Sequence, residues 1–141
     1  MLTLAFASAD RQRVDQHFGA ATAFVIYRVT PAGARISGLG EFPASAMDGN
    51  ENKLQAKVDF LAGCDAVFVQ AIGASAIKQL LAKGVQPIRV GAVDRIADLI
   101  AEVSCAMQAG GVPWIERALA TQAKAGAADR FAAMEAEGWD G

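Results

Sequence analysis

The sequence has few residues with which to build a metal site of its own. One histidine and two cysteines occur in 141 residues, and the thiols, Cys64 and Cys105, form no CxxC pair. A cysteine-ligated iron–sulfur site usually needs four thiolates, and a structural zinc site needs four donors. The two thiols cannot build the former, and one histidine cannot by itself build the latter. We expect both thiols to be small buried hydrophobic residues of a cytoplasmic chain.

Long apolar runs and an excess of charge are also missing. No apolar stretch approaches the roughly 20 residues of a membrane-spanning helix. The N-terminus has no basic leader, and Asp10 and Arg11 follow too soon for a secretory signal peptide. We therefore expect a cytoplasmic protein that does not act at a membrane. The 13 basic and 15 acidic residues give a net charge of −2, which provides no reason to expect a nucleic-acid partner.

The apolar residues that are present fall into segments typical of an α/β domain. The chain is 53% hydrophobic and long enough for one globular domain. Strands are predicted at residues 2–7, 23–29, 34–42, 64–70 and 85–90, with helices after Asn50, before Gly84 and from Asp94. A hairpin followed by alternating helices and strands predicts a three-layer α/β/α fold with a mixed, mainly parallel five-stranded sheet.

The last part of the chain has a different composition. Gly110, Gly111 and Pro113 break the final predicted helix, and large residues such as Trp114 and Trp139 then stand among many alanines. We predict an α/β domain over residues 1–112 and a helical tail over residues 113–141. The tail either packs on the outer face of the domain or serves as a partner-docking arm.

The single histidine lies in a polar loop, residues 8–19, between the first two predicted strands. Binding sites in such sheets lie outside the carboxyl ends of the strands. This loop and the turn after the fourth strand, residues 72–75, should meet there and place His17 beside Gly73 and Ser75. An imidazole there can bind a metal or transfer a proton, and a helix start can bind an anion. The alternatives are a histidine that caps a backbone group and a Ser75 that caps the helix.

Charged residues surround this histidine. Asp10 and Asp15 can form a carboxylate pair for acid–base work or Mg²⁺ binding. Alternatively, Asp10 caps the loop, and Asp15 orients His17 or pairs with an arginine. Arg11 and Arg13 either offset the charge of an anionic ligand or are ordinary solvated residues. From these residues, a single histidine suits a one-point ligand to a preassembled anionic metal cofactor that brings its own other ligands.

Several stretches together resemble one protein family. The first is Val14-Asp15-Gln16-His17-Phe18-Gly19, followed by Phe24-Val25-Ile26-Tyr27. The others are Cys64-Asp65-Ala66-Val67 leading into Ala71-Ile72-Gly73, then Gly84-Val85-Gln86-Pro87-Ile88, and Glu137-Gly138-Trp139. In this order they closely resemble the NifX-type nitrogenase accessory proteins, a dinitrogenase iron–molybdenum cofactor biosynthesis family that includes NifY, NafY, VnfX and the C-terminal domain of NifB.

The resemblance implies a fold, a function and a site. The family has an RNase H-like three-layer fold and binds the iron–molybdenum cofactor, or its iron–sulfur precursor NifB-co, transiently during cofactor assembly. Its members are carrier or storage proteins rather than enzymes, and their partners are NifB-like donors, NifEN-like scaffolds or apo-dinitrogenase. By this resemblance, residues 1–112 form the cofactor-binding domain and His17 is the candidate metal ligand. Arg13, Asp15, Gly73 and Ser75 complete the predicted cofactor site.

Two other functions compete with the carrier hypothesis. One is a protein-interaction module that stabilises an apo-nitrogenase subunit through Trp114 and Trp139. The other is a metal-dependent hydrolase of RNase H-like fold that uses Asp10, Asp15 and Asp65. A two-metal hydrolase needs its carboxylates to converge around ions about 4 Å apart, so the positions of these three side chains test that hypothesis.

Overall fold

The structure, a computed structural model, describes residues 1–42 and 51–122. The elements in chain order are β1 (Leu2–Ala7), β2 (Ala23–Thr30), β3 (Gly33–Glu41), α1 (Glu51–Leu61), β4 (Ala66–Val69), α2 (Ala74–Ala82), β5 (Gln86–Arg89) and α3 (Ile96–Ala109). Residues 113–122 are also helical. The predicted order of strands and helices is confirmed, and Asn50, after which the first helix is predicted to begin, lies outside the described residues.

The five strands form one mixed sheet in the order β3-β2-β1-β4-β5. Strand β1 pairs in parallel with β4, and β4 in parallel with β5. The pairs β1–β2 and β2–β3 are antiparallel, so β2 alone runs against the other four strands. The predicted mainly parallel, mixed five-stranded sheet is confirmed. We call the end of the sheet where β1, β4 and β5 finish the carboxyl edge, and the opposite end the amino edge.

Both faces of the sheet are covered, which gives the predicted three layers. Alternate residues of β1 point to opposite faces, so Ala5 and Ala7 join one core cluster while Leu4 and Phe6 join the other. The first cluster contains residues of α1 and α2, and the second contains residues of α3 and the 113–122 helix. The central position of β1 explains why both of its faces are apolar.

The edge strand β3 contains the two glycines Gly38 and Gly40. The register of β3 against β2 shifts between Ile26 and Tyr27, which is a bulge, and Gly38 pairs with Ile26 beside it. A Cβ atom at Gly40 would collide with the ring of Phe60 from α1. These glycines therefore mark a bulge and a close contact between strand and helix.

The described part of the tail lies against the sheet. Ile115 is only 2% exposed, and the ring of Trp114 meets that of Phe68 edge-on with their centroids 6.5 Å apart. Trp139 and all residues after 122 lie outside the described part, so the division at residue 112 stays a prediction. Among the described residues, no helix is long and apolar enough to cross a membrane.

Candidate functional site

The loop that follows β1 runs across the carboxyl edge and is bonded to two neighbouring loops. The Val14 N–H donates to Asp94 O (2.8 Å), after β5. The Gln70 N–H donates to Gln16 O (3.0 Å), and the Phe18 N–H donates to Ala71 O (2.8 Å), after β4. The loop after β1 and the turn before α2 are therefore in contact, as the position of His17 in the sequence led us to expect.

Residues 13–18 of this loop alternate between inside and outside. Val14 and Phe18 are fully buried, in different core clusters on opposite faces of the sheet. Arg13, Asp15 and His17 are exposed. The two buried residues therefore anchor the loop in both cores, and the three polar residues between and before them are left exposed to solvent.

Two glutamines hold this loop in place. The Gln16 side chain accepts from the Thr22 N–H (3.0 Å) and donates to the Thr22 hydroxyl (3.0 Å). The Gln70 side chain donates to the Val14 carbonyl oxygen (2.6 Å). Sequence reasoning missed both roles. The available signal was Gln70 itself, because it is a polar residue directly after an apolar, fully buried strand.

His17 presents an exposed imidazole with no partner among the described residues. Its backbone oxygen accepts from the Ala20 N–H (3.2 Å), while its ring makes no hydrogen bond or ion pair within residues 1–42 and 51–122. The hypothesis that His17 caps a backbone group is therefore wrong within those ranges. With respect to the described part of the chain, both ring nitrogens are available to a ligand that approaches from solvent.

The two aspartates of the loop have structural partners. Asp10 Oδ1 accepts from the backbone N–H groups of Arg13 (3.0 Å) and Gln12 (2.8 Å), which lower the pKa of its carboxyl. Asp15 Oδ1 accepts from the Ala9 N–H (3.0 Å). Asp10 thus caps the loop. Neither role suggested for Asp15, orienting His17 or pairing with an arginine, is found among the described residues.

Two arginines come together where the loop meets the segment before α3. Arg13 and Arg95 face each other in an isolated antiparallel bridge, and both are exposed. Arg13 Nη1 lies 3.8 Å from Asp94 Oδ1, and the two side chains are 51% and 30% exposed. Such an exposed pair is weak, so Arg13 remains available to an anion. Arg95 was missed from the sequence, because only the tertiary pairing brings it to this loop.

Gly73 and Ser75 lie at the start of α2. Gly73 is the N-cap and has no side-chain cap, and the Ser75 hydroxyl accepts from Gln79 Nε2 (3.2 Å). The alternative that Ser75 caps the helix is therefore wrong. The bond from Phe18 to Ala71 brings His17 near this helix start, but no hydrogen bond joins His17 to Gly73 or Ser75 among the described residues. The first N–H groups of a helix lack intrahelical acceptors.

Asp65 and Cys64 lie at the amino edge, away from the loop. Asp65 Oδ2 accepts from the Thr3 N–H (2.8 Å) and from Gln122 Nε2 (3.2 Å), and burial raises the pKa of the Asp65 carboxyl. Burial also raises the pKa of the Cys64 thiol to about 11. Cys64 is buried as expected, whereas the same expectation for Cys105 is wrong because it is exposed on α3.

This separation affects the hydrolase hypothesis. Asp65 precedes β4 while Asp10 and Asp15 follow β1, and parallel pairing of these strands puts the two groups at opposite edges of the sheet. Among the described residues, no group of three or more His, Cys, Asp or Glu side chains is placed to hold a metal ion. The convergence of Asp10, Asp15 and Asp65 that this hypothesis requires is not found.

The architecture and the loop together define a three-layer α/β domain whose carboxyl edge presents the exposed imidazole of His17, unpartnered within the described ranges, and the exposed Arg13 and Arg95. The crystal structure of PH0822 has the same fold, with a TM-score of 0.56 over 73% of this chain and 88% of that one, at 22% identity. Residues 1–105 match the family model described as dinitrogenase iron-molybdenum cofactor, and the chain belongs to that family.

Relatives agree with this assignment. Protein NifX of Azotobacter vinelandii is 46% identical over 140 residues, which cover 99% of this chain and 88% of NifX. Protein NifX of Klebsiella pneumoniae is 35% identical over 72% of this chain and 65% of its own length. The FeMo cofactor biosynthesis protein NifB of A. vinelandii is 30% identical over 71% of this chain but only 21% of NifB. The resemblance to the NifX-type family is confirmed.

Proposed function

We propose that this chain is a non-catalytic carrier that takes part in iron–molybdenum cofactor biosynthesis. It binds the cofactor, or its iron–sulfur precursor NifB-co, as cargo and hands it on. Membership of the family and the similarity to NifX and NifB support a role in that pathway. The observation that carries the proposal is the exposed imidazole of His17, which is unpartnered among the described residues and stands on a loop anchored at both ends.

The chemistry of the loop fits a preassembled anionic metal cluster. Such a cluster arrives with its own sulfides, so one imidazole can supply a single added bond to a metal. Arg13 and Arg95 reduce the cost of bringing negative charge to the carboxyl edge. The first N–H groups of α2, at Gly73 and Ser75, provide further anion-binding groups beside the loop. Asp15 contributes by holding the loop through Ala9.

Few protein–metal bonds also suit a carrier that must release its cargo. A resident metal site is closed by several protein ligands, and no such group is present within the described residues. A single ligand on an exposed loop can be exchanged for a ligand of the next protein. The partners in this proposal are a NifB-like donor and a NifEN-like scaffold or apo-dinitrogenase.

The proposal is tested by anaerobic titration of the protein with isolated iron–molybdenum cofactor, followed by visible absorption. His17→Ala should weaken binding by roughly tenfold or more, the loss of about 1.4 kcal/mol of binding free energy. Its melting temperature should stay unchanged, because the ring touches no described hydrogen-bonding group. Lys83→Ala, an exposed change after α2 at the amino edge, serves as control. Equal affinities of the two variants would remove His17 from the site.

A further inference from the structure

Lys57 of α1 is a buried cation beneath the loop that carries His17. The side chain is only 3% exposed. Its ammonium donates to the carbonyl oxygens of Gly19 (2.7 Å) and Phe18 (3.4 Å). A buried ammonium is costly unless its donors are satisfied, and two of the acceptors that satisfy Lys57 are carbonyl oxygens of the turn after His17.

The carbonyl oxygens of residues 17–19 each accept a hydrogen bond within or beneath the turn that follows His17. His17 O accepts from the Ala20 N–H (3.2 Å), and Phe18 O accepts from the Ala21 N–H (3.3 Å) as well as from Lys57. Gly19 O accepts from Lys57. The imidazole of His17, in contrast, has no partner of its own within the described residues. Its position therefore depends on the backbone, and within residues 1–42 and 51–122 Lys57 is the one side chain that donates to the carbonyl oxygens directly after it.

We propose that Lys57 is a positioning residue for His17, a role that rests on the proposed function of His17 as the cluster ligand. A ligand must be held within about 0.5 Å of its productive place. The buried ring of Phe18 anchors the loop in the core, and the Phe18 N–H donates to the Ala71 carbonyl oxygen. Lys57 binds the carbonyl oxygens of the same turn. Without the ammonium the turn loses two of its bonds, and the His17 ring samples a wider range of positions.

Lys57→Met tests this role, because methionine fills the buried site but donates no hydrogen bond. Two readouts in cofactor-free protein report on the turn: the ring signals of the single histidine in NMR, and amide exchange at Ala20 and Ala21. We expect the ring signals to shift and exchange at both amides to quicken by about fivefold. Lys83→Met, at an exposed lysine, should change neither. Lys57→Arg keeps the donors and should restore most of the wild-type behaviour.

Titration with isolated iron–molybdenum cofactor separates this role from a general effect on stability or charge. Lys57→Met should weaken binding by about fivefold in the wild-type background. In the His17→Ala background it should have no further effect, because residues that act through one another are not additive. The same fivefold loss in both backgrounds would overturn the positioning role. If His17→Ala alone leaves affinity unchanged, the proposed function fails, while the NMR readouts still decide whether Lys57 holds the turn.

If Lys57→Met does not fold, two other measurements replace it. Lys57→Gln keeps an N–H donor in the same site and should show the same changes at smaller size. In the unmodified protein, the ammonium protons of Lys57 should be protected from solvent exchange, whereas those of the exposed Lys78 and Lys83 should not. A Lys57 ammonium whose protons exchange as fast as those of Lys78 and Lys83 would contradict the proposal.

Discussion

Asp65 at the amino edge and His17 at the carboxyl edge are both polar side chains outside the strands, but only Asp65 has partners among the described residues. Asp65 accepts from Thr3 and Gln122 and is half-buried, whereas the His17 ring is exposed and makes no such bond. Polar groups at the amino edge thus join the first strand, the start of β4 and the 113–122 helix. At the carboxyl edge backbone bonds and the side chains of Asp10 and Asp15 hold the loop, while the ring of His17 has no partner among the described residues.

Under the proposed function, the two edges of the sheet have different roles, with the amino edge serving stability and the carboxyl edge serving binding. Bonds at the amino edge use the side chains themselves, so those side chains are no longer available. Bonds at the carboxyl edge use the backbone of residues 12–19 together with Gln16, Gln70 and Lys57. Functional residues commonly lie on loops positioned by a rigid scaffold. Here the loop itself is also held by hydrogen bonds to the neighbouring loops and to α1.

Removing Asp65 should give the largest effect on the fold. Asp65→Ala leaves the half-buried Thr3 N–H without its acceptor and should lower the free energy of unfolding by about 1–3 kcal/mol. Chemical denaturation measures this loss. Affinity for isolated iron–molybdenum cofactor should not change, because Asp65 lies at the other edge of the sheet. A clear loss of affinity in a folded Asp65→Ala variant would contradict the assignment of stability to the amino edge and binding to the carboxyl edge.

Removing Arg13 should give a smaller effect, and on binding alone. Arg13→Ala removes one exposed cation near His17 and should weaken cofactor binding by about two- to fivefold at low salt, a loss of about 0.4–1 kcal/mol. The difference from wild type should shrink as salt is raised, because exposed charges are screened. Arg35→Ala, an exposed arginine on β3, is the matched control. A loss that is independent of salt would argue against an electrostatic role for Arg13.

The smallest expected effect is on the pH dependence of the free energy of unfolding, to which Asp10 and Asp65 should contribute in opposite directions. Hydrogen bonds lower the pKa of Asp10, so its contribution to stability is present above its unfolded pKa and is lost as pH falls through the folded value. Burial raises the pKa of Asp65, so its contribution is fully present below the unfolded pKa and is lost as pH rises through the folded value.

Urea denaturation of the two asparagine variants across acidic pH measures these opposite slopes. Relative to wild type, Asp10→Asn should lose less stability on acidification, and Asp65→Asn should lose less as pH rises above the usual range of a carboxyl. The effect of Asp10 should be the smaller one because that side chain is exposed. For each variant, the difference in unfolding free energy from wild type is plotted against pH. If this difference changes in the same direction for both variants, the two carboxyls do not have the opposite pKa shifts described.

The strands were predictable from the sequence because apolar periodicity is a local pattern. The meeting of the loops followed from the rule that loops after parallel strands lie at the same edge of the sheet. Gly38 and Gly40 were a further signal in the sequence, because glycine inside a strand often marks a bulge or a close contact. The roles of Gln16, Gln70 and Lys57 were not, since a long polar side chain can reach many backbone groups and only the tertiary fold selects one. The same reason explains why Asp15 bonds Ala9 rather than His17 or an arginine.

We propose that the imidazole of His17 is bonded to the cluster, and the single histidine of the chain permits a direct test. The protein is prepared with ¹⁵N-labelled histidine, loaded anaerobically with isolated iron–molybdenum cofactor, and compared with unlabelled protein by electron spin-echo spectroscopy. We predict nitrogen modulation that changes from the ¹⁴N to the ¹⁵N pattern on labelling, because no other histidine is present. A bound cluster whose modulation does not change on labelling would contradict the assignment of His17 as its ligand.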